Sequence, residues 1–515
     1  MGKARRHTVR KLTPEKVTEQ LSAIVSEMLE VENKFSPQLG QLHENFKLSG
    51  ANLVHYMVMR SSEIRAIQDY CHELGLSSLA HSESHTMYEI LKVLGWLNKA
   101  SDKVYPPACD VENAISLSQM HAEQLLGPFH VKDRPHIMVT FSSKSMQRRK
   151  LVEDMLNEGM TVARINCAHD TPEVWLKMIK VLKKAMVKTG KSCKLYMDLG
   201  GPKIRIRQIH SRKKSNREAL PVVEGQELML CACPENGKKI KRKWRKKYDI
   251  VCIEPGEILG MIREGEHIYF DDGQFEAKIV SCKKYHAIMM VVRISANKPL
   301  LKPEKGINLP DSELSVRALT DEDKSNLPFI CEHADMVGYS FVHVPDEIEA
   351  LREEMNKQVK GSKPAIVLKI ERVSAVQNLP ALMLNGMKDE AFGVMIARGD
   401  LAVQIGFERL SEIQQEILWI CEAAHVPVIW ATQVLESLNK TGYATRSEIT
   451  DAAMGVRAEC VMLNKGKYIL KTIKTLEDIL LRQVGHIHKK QYIMRPLGIA
   501  SAFVEGAESS PVILE

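Results

Sequence analysis

The sequence predicts a (β/α)8 barrel interrupted by a small all-β domain and preceded by a helical region. Three observations carry that expectation. Eight short, β-rich apolar runs recur from residue 136 onward: "HIMVTFS", "TVARINCA", "KLYMDLG", "MVGYSFV", "AIVLKIE", "FGVMIARGD", "PVIWATQ" and "CVMLNKG". Helix-length amphipathic stretches such as "RRKLVEDMLNEG" and "LSEIQQEILWICEAAH" lie between most of them. Apolar strands and helices alternating at roughly 25–35-residue intervals read as parallel β/α units, and eight such units close a barrel. An open doubly wound sheet is the alternative, but no Gly-rich dinucleotide turn follows any of the runs. Residues 206–305 break the rhythm with alternating, Gly-punctuated segments such as "GMIREGEHIYFDDGQFEAKIVSC", which reads as a β domain inserted after the third strand.

The expected organisation is a helical extension over 1–132, a barrel over 133–205 and 306–492, the inserted β domain over 206–305, and a tail over 493–515. In the extension, "LTPEKVTEQLSAIVSEMLEVENKF" starts a helix at Thr13-Pro14, and "EIRAIQDYCHELG" ends a second at Gly75. His81 and His85 are four apart, but Glu83 between them points elsewhere on a helix, so a surface or capping role is expected over metal binding.

Composition narrows the function. With 515 residues, 44% hydrophobic and 26% charged, the chain suits a soluble protein of two to four domains. No apolar run approaches the roughly 18 residues of a membrane span. The basic N-terminus lacks an apolar core and has no Ser or Thr at position 6, which speaks against secretion and myristoylation. Glu15 and Glu19 interrupt a transit-peptide pattern without excluding one. The eleven cysteines form no CxxC pair; Cys231 and Cys233 come nearest, with no second pair to complete a zinc site. Reduced thiols and a cytoplasmic location are expected. The net charge of +8 fits anionic partners, phosphometabolites and nucleic acid alike. Eight basic residues in ten, Lys238 to Lys247, read as a solvated hairpin tip rather than a nucleic-acid patch.

Function in such a barrel sits at the C-terminal ends of the strands. There the sequence gathers Arg164, Asn166, Asp198, Ser340, Lys369, Glu371, Asp400, Thr432 and Asn464. Lys369 and Glu371 share one side of a period-2 segment. A single buried pair is compatible with a structural salt bridge; a whole ring of charges is not. Glu371 and Asp400 supply two carboxylates for Mg²⁺, while Arg164, Arg205 and Lys369 oppose phosphate. One divalent metal among several cations describes phosphoryl transfer or enolate chemistry.

These residues lie in motifs that resemble the pyruvate kinase family over about 134–480. "GMTVARINCAHD", "MDLGGPKIR", "YFDDG", "KGINLP", "VLKIE", "VMIARGDL", "PVIWATQVLES" and "ATRSEITDAA" follow one another in the family's order. The resemblance implies transfer of a phosphoryl group from phosphoenolpyruvate to ADP, giving pyruvate and ATP. It implies Mg²⁺, with Mn²⁺ as an alternative, held by Glu371 and Asp400. Lys369 stabilises the transferring group, and Arg164 binds phosphate with Asn166 and Asp198. The main chain at Ala397, Gly399 and Asp400 cradles the substrate carboxylate, beside Thr432 at the enolate's proton. His169 and Arg205 fall on the nucleotide side, and the inserted domain is the lid. A homo-oligomer is the expected assembly; membrane and nucleic-acid partners are not expected.

The chain also departs from the family. The two hydroxyl ligands of its K⁺ are replaced by Ala168 and Leu199, and the neighbouring glutamate by Lys203. K⁺-independent activity with Lys203 as the substitute cation is therefore expected. The first strand ends "VTFSSKS" where the family has a Gly-Pro turn. Gly200 stands where a lysine is usual, and "LNKGKY", with Asn464 and Lys465, replaces a longer segment after the eighth strand. Nucleotide preference and turnover are the properties exposed to these changes. The family's C-terminal regulatory domain is not expected here. The rival readings are a catalytically silent homologue acting as a metabolite sensor or scaffold, and another Mg²⁺-dependent phosphoenolpyruvate or pyruvate enzyme.

Overall fold

The computed structural model describes the chain apart from residues 1–12, 98–107, 130–133, 144–148, 213–217, 234–239, 241, 296–298, 313–315, 359–362, 485–486, 489–490 and 493–515. All eight expected strands form: β1 (His136–Thr140), β2 (Val162–Asn166), β3 (Lys194–Asp198), β4 (Met336–Tyr339), β5 (Ala365–Ile370), β6 (Phe392–Ala397), β7 (Val428–Ala431) and β8 (Cys460–Leu463). They pair in parallel in sequence order, and β1 closes the barrel against β8. β-branched and long apolar side chains fill both faces, as a sheet wrapped by helices requires. The sixth run is shorter than "FGVMIARGD" suggests. The strand stops at Ala397 and a helix, Arg398–Ile405, begins at once, so Asp400 sits in a first helical turn.

The bottom of the barrel is plugged by the extension. The helix Val111–Leu126, capped by Asp110 on the Asn113 amide, inserts Leu125 and Leu126 among Met138, Val162, Val367, Met395 and Met462. Gly393 makes room for the plug, since a Cβ there would lie 2.4 Å from Leu125. The remaining extension helices, led by Pro14–Lys34 with its expected Thr13 cap, share one continuous core with the barrel's outer helices. The second expected helix spans Arg65–Glu73, with Gly75 in the left-handed region just beyond it. His85 lies 3.6 Å from Glu89, whereas Glu83 is buried, so this segment is a packing element.

A buried polar seam joins extension to barrel. Asn52 donates to the carbonyls of Glu83 and Ala423, both at 2.7 Å, and accepts from the Thr86 amide. His425 spans Ser49 and the Ser84 carbonyl. Asn52→Leu strands three backbone groups in a dry interface and should cost about 2–4 kcal/mol, read by urea denaturation. Glu83 lies in the same seam, its Oε2 buried without a hydrogen-bond partner among the described residues. Burial pushes its carboxyl up to about 7; its own backbone contact opposes this, Glu422 adds to it, and Arg60 and His85 oppose it. An unfolded glutamate loses its proton near 4.5, whereas the folded one keeps it until about 7. Stability should therefore fall as pH rises through that window. Glu83→Gln should match the parent in thermal melts near pH 4 and melt higher than it at pH 8.

The inserted domain is a nearly closed seven-stranded sheet running from Arg205–His210 to Ile307–Asn308. Its basic segment differs from expectation. Arg242–Lys247 is a short helix, because the strands that flank it, Glu227–Ala232 and Asp249–Glu254, are parallel and a hairpin cannot join parallel strands. Trp244 anchors that helix on the sheet while Lys243, Lys246 and Lys247 face solvent. No described helix is long and apolar enough to cross a membrane.

Candidate active site

At the C-terminal mouth of the barrel, residues from seven strand ends and the lid surround a cavity of about 250 Å³. It is walled by charge. Arg164, midway along β2, is held by Asp198 of the neighbouring β3, with its Nε 3.1 Å from Oδ2, and by Thr140 of β1 at 3.0 Å. The in-register Asn166–Asp198 pair puts these groups side by side. Asn166 turns its Oδ1 onto the Ala168 amide, which shapes the loop that carries His169.

Lys369 projects from β5 into the cavity. Its Nζ lies 3.0 Å from Glu371 and 3.4 Å from Asp198, and donates to Ser340 Oγ at 2.7 Å. Burial works to lower the ammonium's pKa, but Asp198 and Glu371 outweigh it and hold the charge in place. Glu371, one residue past β5, accepts the Phe341 amide at 2.8 Å. Its burial and the nearby Asp400 raise its pKa, against the pull of Lys369. Ser340 passes its own proton to the Leu199 carbonyl, so its oxygen is oriented to receive Lys369.

Asp400 is bound on both carboxylate oxygens by Lys203, at 2.9 and 3.1 Å, and accepts from Asn308 of the lid exit at 3.0 Å. Burial would raise its pKa, yet Lys203, Asn308 and Lys369 together keep it below the ordinary range. The Lys203 ammonium is correspondingly raised to about 12. It also lies 3.7 Å from Asp272 of the lid turn. Lys203 reaches these partners over Gly306, where a Cβ would sit 2.5 Å from the lysine Cε.

The structure thus brings every expected site residue to one mouth. Arg164, Asn166, His169, Asp198, Lys203, Arg205, Lys369, Glu371, Ala397, Gly399, Asp400 and Thr432 all line the cavity. The Gly399 amide, one of the main-chain groups expected to cradle a carboxylate, donates here to Thr432 Oγ1 at 2.6 Å. Arg398 fixes it from behind by binding the carbonyls of Ala431 and Thr432 and the carboxylate of Asp451. His169 and Arg205 lie on the lid side, where burial and the cations Arg205 and Lys465 lower the histidine's pKa. Three contributors escaped the sequence reading: Asp272, Asn308 and Arg398. Each lies inside a quoted motif, but its contact depends on how the lid or the next strand folds back.

The donor set fits a small divalent cation. Glu371 and Asp400 are oxygen donors facing one cavity and coupled to each other. Among the described residues no cluster of three or more His, Cys, Asp or Glu could hold a metal. An ion on these two carboxylates would leave room in its shell for substrate oxygens and water, as Mg²⁺ prefers.

Eight parallel β/α units, a β domain inserted after the third and a mouth of interleaved ammonium and carboxylate groups define a (β/α)8 barrel with an inserted β domain beside a charged mouth. Comparison with known proteins narrows this. Residues 132–473 match the family described as pyruvate kinase, barrel domain, and the chain belongs to the pyruvate kinase family. It is 30% identical over 350 residues to the pyruvate kinase of Encephalitozoon cuniculi, covering 67% of this chain and 74% of that one. It is 30% identical over 334 residues to that of Dictyostelium discoideum, covering 64% of this chain and 62% of that one. It is 29% identical over 364 residues to pyruvate kinase 1 of Trypanosoma brucei brucei, with 69% and 68% covered. The chain therefore spans about two thirds of the length of these relatives.

Proposed function

We propose that this protein transfers the phosphoryl group of phosphoenolpyruvate to ADP, giving pyruvate and ATP, in a Mg²⁺-dependent reaction that Mn²⁺ also supports and K⁺ does not affect. The observation that carries the reading is Lys369, a charged ammonium fixed by Glu371, Asp198 and Ser340 and aimed into a polar cavity at the barrel mouth. A cation positioned before the reaction begins stabilises the charge on a phosphoryl group in flight without reorganising.

Around it, Arg164 binds the phosphate oxygens while Asp198 holds its guanidinium in the plane they need. The amides of Gly399 and Asp400, at the N-terminus of the helix Arg398–Ile405, donate to the substrate carboxylate. Thr432 then releases the Gly399 amide and stands beside the carbon that receives the proton. A divalent ion on Glu371 and Asp400 would neutralise phosphate charge. His169 and Arg205 meet the nucleotide, and the lid excludes water. Lys203 supplies the fixed positive charge that a monovalent ion would otherwise provide. The eleven cysteines, none of them in a disulfide, suit a reducing, cytoplasmic setting, and a homo-oligomer is the proposed assembly.

One observation favours a second reading. Lys203 occupies both oxygens of Asp400, and an ammonium there competes with a divalent ion. A homologue that binds phosphoenolpyruvate and senses it without turnover would retain the anion cradle and give up the metal. Pyruvate formation from phosphoenolpyruvate, ADP and Mg²⁺, measured in K⁺ and in tetramethylammonium buffers, separates the readings. Equal rates in the two buffers are expected. A rate only in K⁺ would keep the kinase and remove Lys203 from the cation's role; no rate in either would leave the sensor.

A further inference from the structure

The lid contains a chemical cluster that phosphoryl transfer does not use. Cys231 and Cys252 are register partners on the parallel strands Glu227–Ala232 and Asp249–Glu254, with their sulfurs 3.7 Å apart. Parallel neighbours lie about 4.8 Å apart, within the Cα separation of about 4.4–6.8 Å that a disulfide spans. Cys233 follows the first strand by one residue, its amide bonded to the Ile253 carbonyl at 3.2 Å. Two residues on from Cys231, it lies on the same side of the strand line and packs against the small core that holds Cys231 and Cys252.

The three thiols are not equivalent. Cys231 and Cys252 are buried in a small core with Met229 and Ile250, against which Trp244 packs. Cys233 is half-buried at its edge. Of the chain's eleven cysteines nine are buried, and only Cys233 and Cys282 reach toward solvent. The Cys252 thiol donates to Cys233 and eases its ionisation, with Arg207 adding to the effect against burial and Glu254. A half-buried sulfur packed against a core in which two buried sulfurs already touch is the arrangement that directs oxidation toward a disulfide.

We propose that Cys233, Cys252 and Cys231 form a two-electron redox site in the lid, in which a hydroperoxide oxidises Cys233 and the disulfide comes to rest between Cys231 and Cys252. The Cys233 thiolate attacks the terminal peroxide oxygen; the O–O bond breaks, the departing alkoxide takes a proton, and Cys233 becomes a sulfenic acid. The Cys252 sulfur then attacks the Cys233 sulfur, and the expelled hydroxide leaves as water with the Cys252 proton. Last, Cys231 attacks the Cys252 sulfur, and Cys233 departs as a thiol carrying the proton Cys231 gives up. In sum two thiols and one hydroperoxide give one disulfide, one alcohol and one water. The product pins a pair of parallel strands, next to the strand that carries Arg205. The proposal stands apart from the phosphoryl-transfer reading.

The test treats the full-length, reduced protein with one equivalent of hydrogen peroxide, blocks free thiols and maps peptides by mass spectrometry. The expected product has lost two hydrogens, joins Cys231 to Cys252 and reverts with dithiothreitol. Cys233→Ser should slow its formation several-fold without preventing it, and Cys252→Ala should abolish it. In the unoxidised parent protein, iodoacetamide should label Cys233 before Cys282, a readout that needs no variant to fold. Sulfinic acid at Cys233 without a disulfide, first oxidation at Cys282, or an unchanged rate in Cys233→Ser would overturn the proposal.

Discussion

Lys369→Met should lower the rate of pyruvate formation on the order of a thousandfold or more, while the protein still binds phosphoenolpyruvate. Methionine keeps most of the stem's volume and removes the charge, so the barrel wall stays packed. The loss should fall on kcat rather than KM, because the ammonium meets a phosphoryl group that carries its decisive charge distribution only in the transition state. The variant also leaves Glu371 and Asp198 facing each other without their shared counter-ion. Steady-state kinetics on the purified variant, with phosphoenolpyruvate binding measured by calorimetry, reads both quantities. A large rise in KM at constant kcat would assign Lys369 to ground-state binding instead.

Lys203→Met should produce a split that a merely structural lysine would not. Turnover should fall by about a hundredfold or more, since a fixed charge at the mouth is gone. Binding of Mn²⁺ to the substrate-free protein should tighten by about tenfold, because the ammonium that holds both oxygens of Asp400 no longer competes with it. The first effect is read by activity and the second by electron paramagnetic resonance of bound Mn²⁺. If metal affinity instead falls with activity, Lys203 orders Asp400 for the metal rather than contesting it. Adding K⁺ should restore only part of the lost rate, as Ala168 and Leu199 offer no hydroxyl to hold it.

The fold was legible because its signals are local and repeated. Each barrel strand is a short apolar run bounded by turn residues, and its neighbours in sequence are its neighbours in the sheet. The residues that gather at the mouth were legible for a different reason: charges at the ends of buried strands have no packing role to account for them all. What escaped depends on chain reversal. Asp400 reads as the end of a strand because "VMIARGD" is apolar almost to its end, yet the chain turns helical at Arg398, held by Asp451 from more than fifty residues away. The run "KRKWRKK" reads as a hairpin because periodicity cannot reveal that the strands on either side run parallel. Lys203 was recognised as a cation in the wrong family position, but its reach to Asp400 and Asp272 follows from the lid folding Gly306 beneath it. Part of the basic run and the expected 493–515 tail lie outside the described residues.

The extension's role in the barrel is also a matter of physics rather than motif. Leu125 and Leu126 close the floor of the barrel opposite the candidate site, and the Asn52–His425 seam ties the extension to the end of the helix Leu410–Ala423. Loss of that seam should therefore reach the helical turn that carries Asp400 before it reaches Lys369.

The central claim is that a phosphoryl group crosses this mouth from an enol phosphate to a nucleoside diphosphate. Phosphorus NMR of the full-length protein with phosphoenolpyruvate, ADP and Mg²⁺ tests it most directly. The account predicts that the phosphoenolpyruvate signal decays as the resonances of ATP grow in equal amount, and that neither changes with Lys369→Met. Phosphoenolpyruvate that binds but persists unchanged with ADP and every other common nucleoside diphosphate would contradict it.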